Sequence, residues 1–280
     1  MRVCLASGKG GTGKTLLATS LAVYLARRSG SVTYLDADVE EPNGFLFLRP
    51  EIELQERMAV PVPALKTGVC SGCGECRRLC AYGAILDLED RVMVFPELCH
   101  SCGGCLIVCP EEALEEVPRE IGTLSRGMSG SLTCCAGRLD IGETRSAPLI
   151  ERLLDWAPPG RVEIVDAPPG TSCSVTAALR GADLLVLVTE PTPFGLHDLR
   201  LSVELGRTLG LGMVAVINRS DLGGDEVREY LTREGIRVVA EIPFRREIAA
   251  VYAAGGLCLD GSPEVLGAVE ALAEEVDRAG

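Results

Sequence analysis

One run of eight residues near the start of the chain narrows the choice of fold more than any other. Gly8-Lys9-Gly10-Gly11-Thr12-Gly13-Lys14-Thr15 fits G-x-x-x-x-G-K-[ST] at every fixed position. The pattern means little unless an apolar strand feeds it and a helix leaves it. Both are present: residues 3–7 read as a strand and residues 14–28 as a helix. The glycines let backbone N–H groups curl around phosphate oxygens without Cβ clashes. Lys14 then reaches the β and γ phosphates of a nucleotide, and Thr15 binds Mg²⁺. The helix adds the partial positive charge of its N-terminus. Because the strand is read from almost residue 1, a cleavable leader is not expected.

Apolar runs recur downstream. Strands are expected at 32–36, 162–166, 184–189, 213–218 and 238–242. Helices are expected at 148–156, 195–209 and 226–234, with a closing helix over 263–279. Short apolar strands alternating with helices imply an α/β fold, a mostly parallel sheet with helices on both faces. Composition suits it: 47 % of residues are hydrophobic but only 4 % aromatic, the aliphatic palette of a buried parallel sheet.

The alternation stops between residues 59 and 119, where eight of the 13 cysteines lie. Cys70, Cys73, Cys76 and Cys80 form C-x₂-C-x₂-C-x₃-C. Cys99, Cys102, Cys105 and Cys109 repeat it, and Pro110 follows. Three thiolates in a tight loop can face one iron–sulfur cube. The fourth lies about a helical turn on and serves the other cube, as in two-cluster bacterial ferredoxins. The spacing therefore predicts two [4Fe–4S] clusters, one on Cys70, Cys73, Cys76 and Cys109, the other on Cys99, Cys102, Cys105 and Cys80. Ala81 stands where a proline is usual, which changes no ligand. Residues 59–119 are read as an α+β ferredoxin-like insert in a discontinuous domain of residues 1–58 and 120–280. The glycine-rich stretch 122–137 is read as its return path. Of the other cysteines, Cys4 reads as core and Cys173 as packed near a switch. Cys134 and Cys135 diverge along an extended chain and read as buried thiols, with a site completed by a second subunit as the alternative. His100, between ligands, reads as exposed.

Lys9 is an additional lysine inside the loop. With it the sequence resembles the deviant Walker A motif of the MinD/ParA/Mrp class of ATPases. The resemblance extends to Asp36-Ala37-Asp38, to Asp166-Ala167-Pro168-Pro169-Gly170-Thr171 and to Thr189-Glu190-Pro191-Thr192-Pro193-Phe194. It implies ATP hydrolysis in a homodimer, or in a heterodimer with a paralogous ATPase, where Lys9 reaches the partner's nucleotide. It also implies that Asp38 orients the attacking water, that Asp166 holds Mg²⁺ through water, and that Gly170 senses the γ-phosphate. Asp36 caps or braces the loop. Asn218-Arg219-Ser220-Asp221 superficially matches a guanine motif; the resemblance instead assigns Asn218, with Pro243 and Phe244, to adenine.

A net charge of −13 repels phosphate backbones, so nucleic acid is not an expected partner. No apolar run approaches the roughly 20 residues of a membrane span. Metal-bound thiolates suit a reducing cytoplasm better than a disulfide scaffold does. Three uses of hydrolysis compete: assembly or delivery of a metal cofactor such as an iron–sulfur cluster, ATP-gated low-potential electron transfer to a redox partner protein, and a MinD/ParA-like switch. The acidic last helix disfavours the third, since anionic lipid would repel it. No C-x-x-C pair lies outside the insert, where Mrp-like carriers hold a labile cluster.

Overall fold

The computed structural model describes residues 1–89 and 91–280. Two compact units divide the chain. The larger comprises Met1–Glu56, Thr123–Leu139 and Arg145–Gly280; the smaller comprises Arg57–Gly122 and Asp140–Thr144.

The larger unit opens with β1 (Arg2–Ala6), α1 (Lys14–Ser29), β2 (Val32–Asp36) and α2 (Gly44–Leu48). The chain then enters β3 (Glu51–Leu65). The smaller unit holds α3 (Glu75–Leu79), β4 (Ile85–Leu88), β5 (Arg91–Val94) and α4 (Gly104–Ile107). The return runs through β6 (Leu114–Ser129) and β7 (Leu132–Leu139). There follow α5 (Ala147–Trp156), β8 (Val162–Asp166), α6 (Cys173–Ala178), β9 (Leu184–Thr189), α7 (Pro193–Thr208) and β10 (Gly212–Asn218). The chain ends with α8 (Glu226–Arg233), β11 (Arg237–Ile242), α9 (Arg246–Ala253) and α10 (Pro263–Ala279).

The strands form one sheet in the order β11-β10-β9-β1-β8-β2-β7-β6-β3, parallel from β11 to β7. The central strands are buried along their whole length, as a sheet covered on both faces requires. On one face Leu17, Leu21 and Leu25 of α1 join Val265, Val269 and Leu272 of α10 over Val3, Leu5 and Ile164. The closing helix is thus a core element. Its one buried acid, Glu275, pairs with Arg237 and Arg278.

The glycine-rich stretch 122–137, read as the return path, returns as sheet. It supplies the end of β6, a two-residue turn at Gly130-Ser131, and β7, which lies parallel to β2 with Val32 opposite Leu132 and Asp36 opposite Ala136. Its glycines serve close strand approach: a Cβ on Gly127 would collide with the carbonyl of Glu51 on the neighbouring strand. The outermost strand, β3, starts with the exposed residues Glu51, Ile52, Glu53, Leu54 and Gln55. Charge at an edge discourages pairing with another chain.

The smaller unit is built around the antiparallel hairpin of β4 and β5, with Ile85 opposite Val94 and Asp87 opposite Val92. Its apolar centre is small: Ile85, Val92, Leu114 and the Cys76 side chain, with further cysteines packed around them.

Candidate nucleotide and cluster sites

The phosphate loop joins β1 to α1, at the carboxyl end of a central parallel strand where folds of this kind bind ligands. Gly13 has φ 94°, and a Cβ there would strike the Asn218 amide. Glycine is needed at that point for both reasons. The Asn218 Nδ2 donates to the Thr12 carbonyl at 2.7 Å, tying the base side of the site to the loop. Thr12 is buried, and its hydroxyl has no hydrogen-bond partner among the described residues. A buried orphan hydroxyl in a loop of this kind fits a phosphate oxygen.

Lys14 and Asp166 meet at 3.1 Å, with side chains 7 % and 0 % exposed. The other oxygen of Asp166 accepts from the Tyr34 hydroxyl at 3.1 Å. Asp36, also fully buried, accepts from the backbone N–H groups of Gly44 at 2.8 Å and Asp38 at 3.3 Å. Three acids thus gather around one lysine. Burial, and then the charge of Asp166, pushes the Asp36 carboxyl well above the usual range. Burial likewise lifts Asp38 to about 6, with Lys14 pulling the other way. With one lysine among three acids, Asp166 is the carboxylate placed to meet a cation that replaces Lys14. Thr15 is buried at the first turn of α1. The Gly170 N–H donates to the Ser7 carbonyl at 2.9 Å, so the segment after β8 touches the base of the loop.

Lys9 pairs with Glu190 at 3.0 Å within its own chain. Glu190 is 6 % exposed and also holds Arg219 at 2.6 Å. A cavity of about 160 Å³ is walled by Asn218, Pro243, Phe244, Arg245 and Tyr252. Asp221 is not among its walls; one of its oxygens accepts from the Phe244 N–H at 2.7 Å. The aspartate of the guanine-like motif is thus spent on bracing the Pro243-Phe244 turn.

Sequence reasoning missed three contributors here. Helix α9, which brings Tyr252 to the cavity, follows Pro243 within a few residues and is only eight residues long. Tyr34 was hidden in an apolar strand; its signal was a lone hydroxyl in a run that is otherwise buried. Glu190 stood inside a recognised motif, but its pairing with Lys9 has no local sequence signature.

In the smaller unit the two cysteine motifs interleave. A cavity of about 330 Å³ is lined by Cys99, Cys102 and Cys105 of the second motif and by Cys80 of the first. Cys76 lies close enough to Cys109 and Cys70 that burial, and next their charges, raises its thiol. Burial, then Cys99 and Cys102, lifts Cys105 to about 11. Backbone N–H groups point at sulfur: Gly72 to Cys70 at 3.5 Å, Ser101 to Cys99 at 3.4 Å and Ala113 to Cys109 at 3.2 Å. Among the described residues, no three His, Cys, Asp or Glu side chains converge as a single metal ion requires. His100 is exposed and stacks on Tyr82 with ring centroids 3.7 Å apart.

The remaining cysteines divide cleanly. Cys4, Cys134 and Cys135 are fully buried, and burial pushes each thiol up to about 12. Cys134 lies in the core beneath α1, and β-strand alternation turns Cys135 to the other face. Cys258 is buried too, and Cys173 is exposed at the start of α6. Among the described residues, no helix is long and apolar enough to cross a membrane.

Comparison with known proteins extends the picture. Residues 3–257 match the CobQ/CobB/MinD/ParA nucleotide binding domain. A protein of Pseudomonas fragi named an iron–sulfur cluster carrier protein is 43 % identical over 269 residues, covering 88 % of this chain and 74 % of that one. An uncharacterized protein of Methanocaldococcus jannaschii is 28 % identical over 279 residues, 99 % of this chain and 96 % of its own length. Among solved structures, the septum site-determining protein MinD of Pyrococcus horikoshii, complexed with Mg-ADP, superposes with a TM-score of 0.61. Its identity is 16 %, over 99 % of this chain and 96 % of that one, so the likeness concerns the fold.

Proposed function

Since the chain belongs to the CobQ/CobB/MinD/ParA family of P-loop nucleotide-binding proteins, we propose that it is a Mg²⁺-dependent ATPase with two resident [4Fe–4S] clusters, serving assembly or delivery of an iron–sulfur cluster or another metal cofactor. The observation that carries the cluster half is the cavity in which Cys80 joins Cys99, Cys102 and Cys105. Those four thiols are distant in one motif's register and adjacent in space, as a crossed pair of cubane sites requires. The relative named as an iron–sulfur cluster carrier supports the assembly half.

In the nucleotide unit, Lys14 must leave Asp166 to meet the β and γ phosphates. Asp166 is then free to hold Mg²⁺ through water beside Thr15, still oriented by Tyr34. Asp38, once ionised, aligns a water with the γ-phosphorus. The water oxygen bonds to phosphorus as the β–γ bridging bond breaks, leaving ADP and inorganic phosphate. Lys9 must also exchange Glu190 for phosphate oxygens, in a homodimer or a heterodimer with a paralogous ATPase. Asn218, Pro243 and Phe244 receive the adenine. In the smaller unit, one set of thiolates is Cys70, Cys73, Cys76 and Cys109, the other Cys80, Cys99, Cys102 and Cys105. When bound, the clusters supply one-electron redox chemistry.

The test is compositional and functional. Anaerobically purified protein should carry about 8 Fe and 8 acid-labile sulfides per chain, the content of two cubanes. It should stimulate loading of an apo iron–sulfur acceptor only with hydrolysable ATP. Stoichiometric zinc without iron would overturn the cluster assignment, and loading indifferent to ATP would overturn the assembly role. A second reading, ATP-gated electron transfer to a redox partner, is favoured by one observation: each proposed thiol set comes from a single chain, so neither cluster depends on a subunit interface.

A further inference from the structure

The internal repeat of the smaller unit contains its own control. The two motif loops share a left-handed backbone at matching positions: Gly72 and Gly74 have φ 71° and 74°, Ser101 and Gly103 have φ 56° and 70°. The repeat is broken at one of them. Where the first loop has Gly72, the second has Ser101, one of four non-glycine residues with positive φ among those described. A side chain in that region is uncommon and costs conformational energy. Ser101 lines the same cavity as Cys80, Cys99, Cys102 and Cys105. Its Oγ is buried and has no hydrogen-bond partner among the described residues. A buried hydroxyl without a partner is costly, and here the cavity beside it is lined by sulfur ligands.

We propose that the Ser101 hydroxyl donates a hydrogen bond to a sulfur of the cluster held by Cys80, Cys99, Cys102 and Cys105, and makes it the more easily reduced of the two. The inference rests on the cluster assignment above. Reduction adds one electron to the cluster and breaks no bond. A hydrogen bond to sulfur strengthens as negative charge accumulates there, so it favours the reduced form. The first loop has no hydroxyl at the corresponding place. The pair is therefore graded: an electron accepted at the first site moves downhill to the second, giving the insert a direction.

The test is a potentiometric titration followed by electron paramagnetic resonance, on the full-length protein with both clusters loaded. Ser101→Gly restores the residue the first loop uses and relieves the backbone, so folding is not at risk. At the wild-type midpoint of the higher-potential cluster, the oxidised-to-reduced ratio should rise from one to about ten. That is a downward shift of about 59 mV for a one-electron couple. The lower-potential cluster should stay where it is. The reverse change, Gly72→Ser, should raise the other cluster and narrow the gap. Unchanged potentials in Ser101→Gly at full iron content would mean that the hydroxyl is satisfied by solvent, and would overturn the inference while leaving the clusters intact. Absence of iron from the wild type would overturn the cluster reading itself.

Discussion

Lys14→Met should destabilise the nucleotide-free protein as well as abolish nucleotide binding, and the two effects are separable. Lys14 is the only cation paired with Asp166 among the described residues, at 3.1 Å, and both side chains are almost fully buried. Removing one partner of such a pair leaves an uncompensated charge and costs about 3–5 kcal/mol. Tyr34 still donates to Asp166, which places the expectation near the lower end, about 3 kcal/mol. For a unit of this size that is a fall in Tm of roughly 6–12 °C. Trp156, the single tryptophan, lies in the nucleotide unit and reports its unfolding by fluorescence. The sign of the pH dependence follows from the acids. Asp36 is raised by burial and by Asp166, Asp38 is raised to about 6 by burial, and Lys14 lowers both. A carboxyl raised in the folded state binds protons more tightly there than in the unfolded chain, so its contribution to stability grows as pH falls. Without Lys14 that window widens upward. The deficit of the variant should therefore be largest near pH 8 and narrow towards pH 6. Excess Mg-ATP, at about 100 times its Kd, should stabilise the wild type by about 2.7 kcal/mol and the variant not at all. A deficit under about 1 kcal/mol at pH 8, or one that grows on acidification, would refute the reasoning from burial and pairing.

Lys9→Ala should retain most nucleotide affinity and lose turnover, because the Lys9 side chain is 37 % exposed and pairs with Glu190 in its own chain; equal loss of affinity in the Lys9 and Lys14 variants would count against a role across a dimer. Tyr34→Phe should raise the Mg²⁺ concentration for half-maximal ATPase activity severalfold, about 1 kcal/mol for one lost hydrogen bond, with nucleotide binding in chelator unchanged. An unaltered Mg²⁺ dependence would show that Asp166 needs no second partner. Iodoacetamide at pH 8 should label Cys173 alone among the five cysteines outside the repeat, while Cys4, Cys134, Cys135 and Cys258 react only after denaturation. Rapid labelling of Cys134 or Cys135 in the native protein would contradict their burial on β7.

What was legible in the chain was whatever is encoded locally. The loop at Gly8–Thr15 and the apolar runs that became β2, β8 and β9 declare themselves because a buried parallel strand has no alternation to confuse. The cysteine repeat is legible because ligand spacing is fixed by chemistry. The stretches that flank it, residues 51–65 and 114–139, were not. Strands β3 and β6 are long, carry charge and proline, and pair with each other across the whole insert, so neither period nor composition marks them as one sheet. Of Gly122, Gly127 and Gly130 in the return path, only Gly130 makes a turn. The partners of Lys9 and Asp166 were equally hidden. Glu190 and Tyr34 reach them through tertiary contact, at separations of 181 and 132 residues, and no local pattern reports such pairs.

The two readings of the cluster unit are usually set against each other, cargo against wire, and the placement of the thiols bears on that choice. A cluster meant to leave is best held where a movement between subunits can open its ligand shell. The proposed sets here are closed within one chain. Cys76 and Cys99 are buried, and backbone N–H groups at Gly72, Ser101 and Ala113 stabilise the sulfurs in place. Releasing such a cluster would mean exchanging four thiolates and leaving the hydroxyl of Ser101 unpaired, a cost that grows with each ligand. Only Cys73 and Cys102, one from each loop, are exposed, which is enough for an electron to pass and too little for a cube to depart. On this reasoning the proposed clusters are residents and not cargo. If the protein assembles a cofactor, that cofactor binds elsewhere and the eight-cysteine unit delivers the electrons its assembly consumes. ATP hydrolysis and electron supply are then two inputs to one reaction, and the quantity to measure is electrons delivered per ATP hydrolysed.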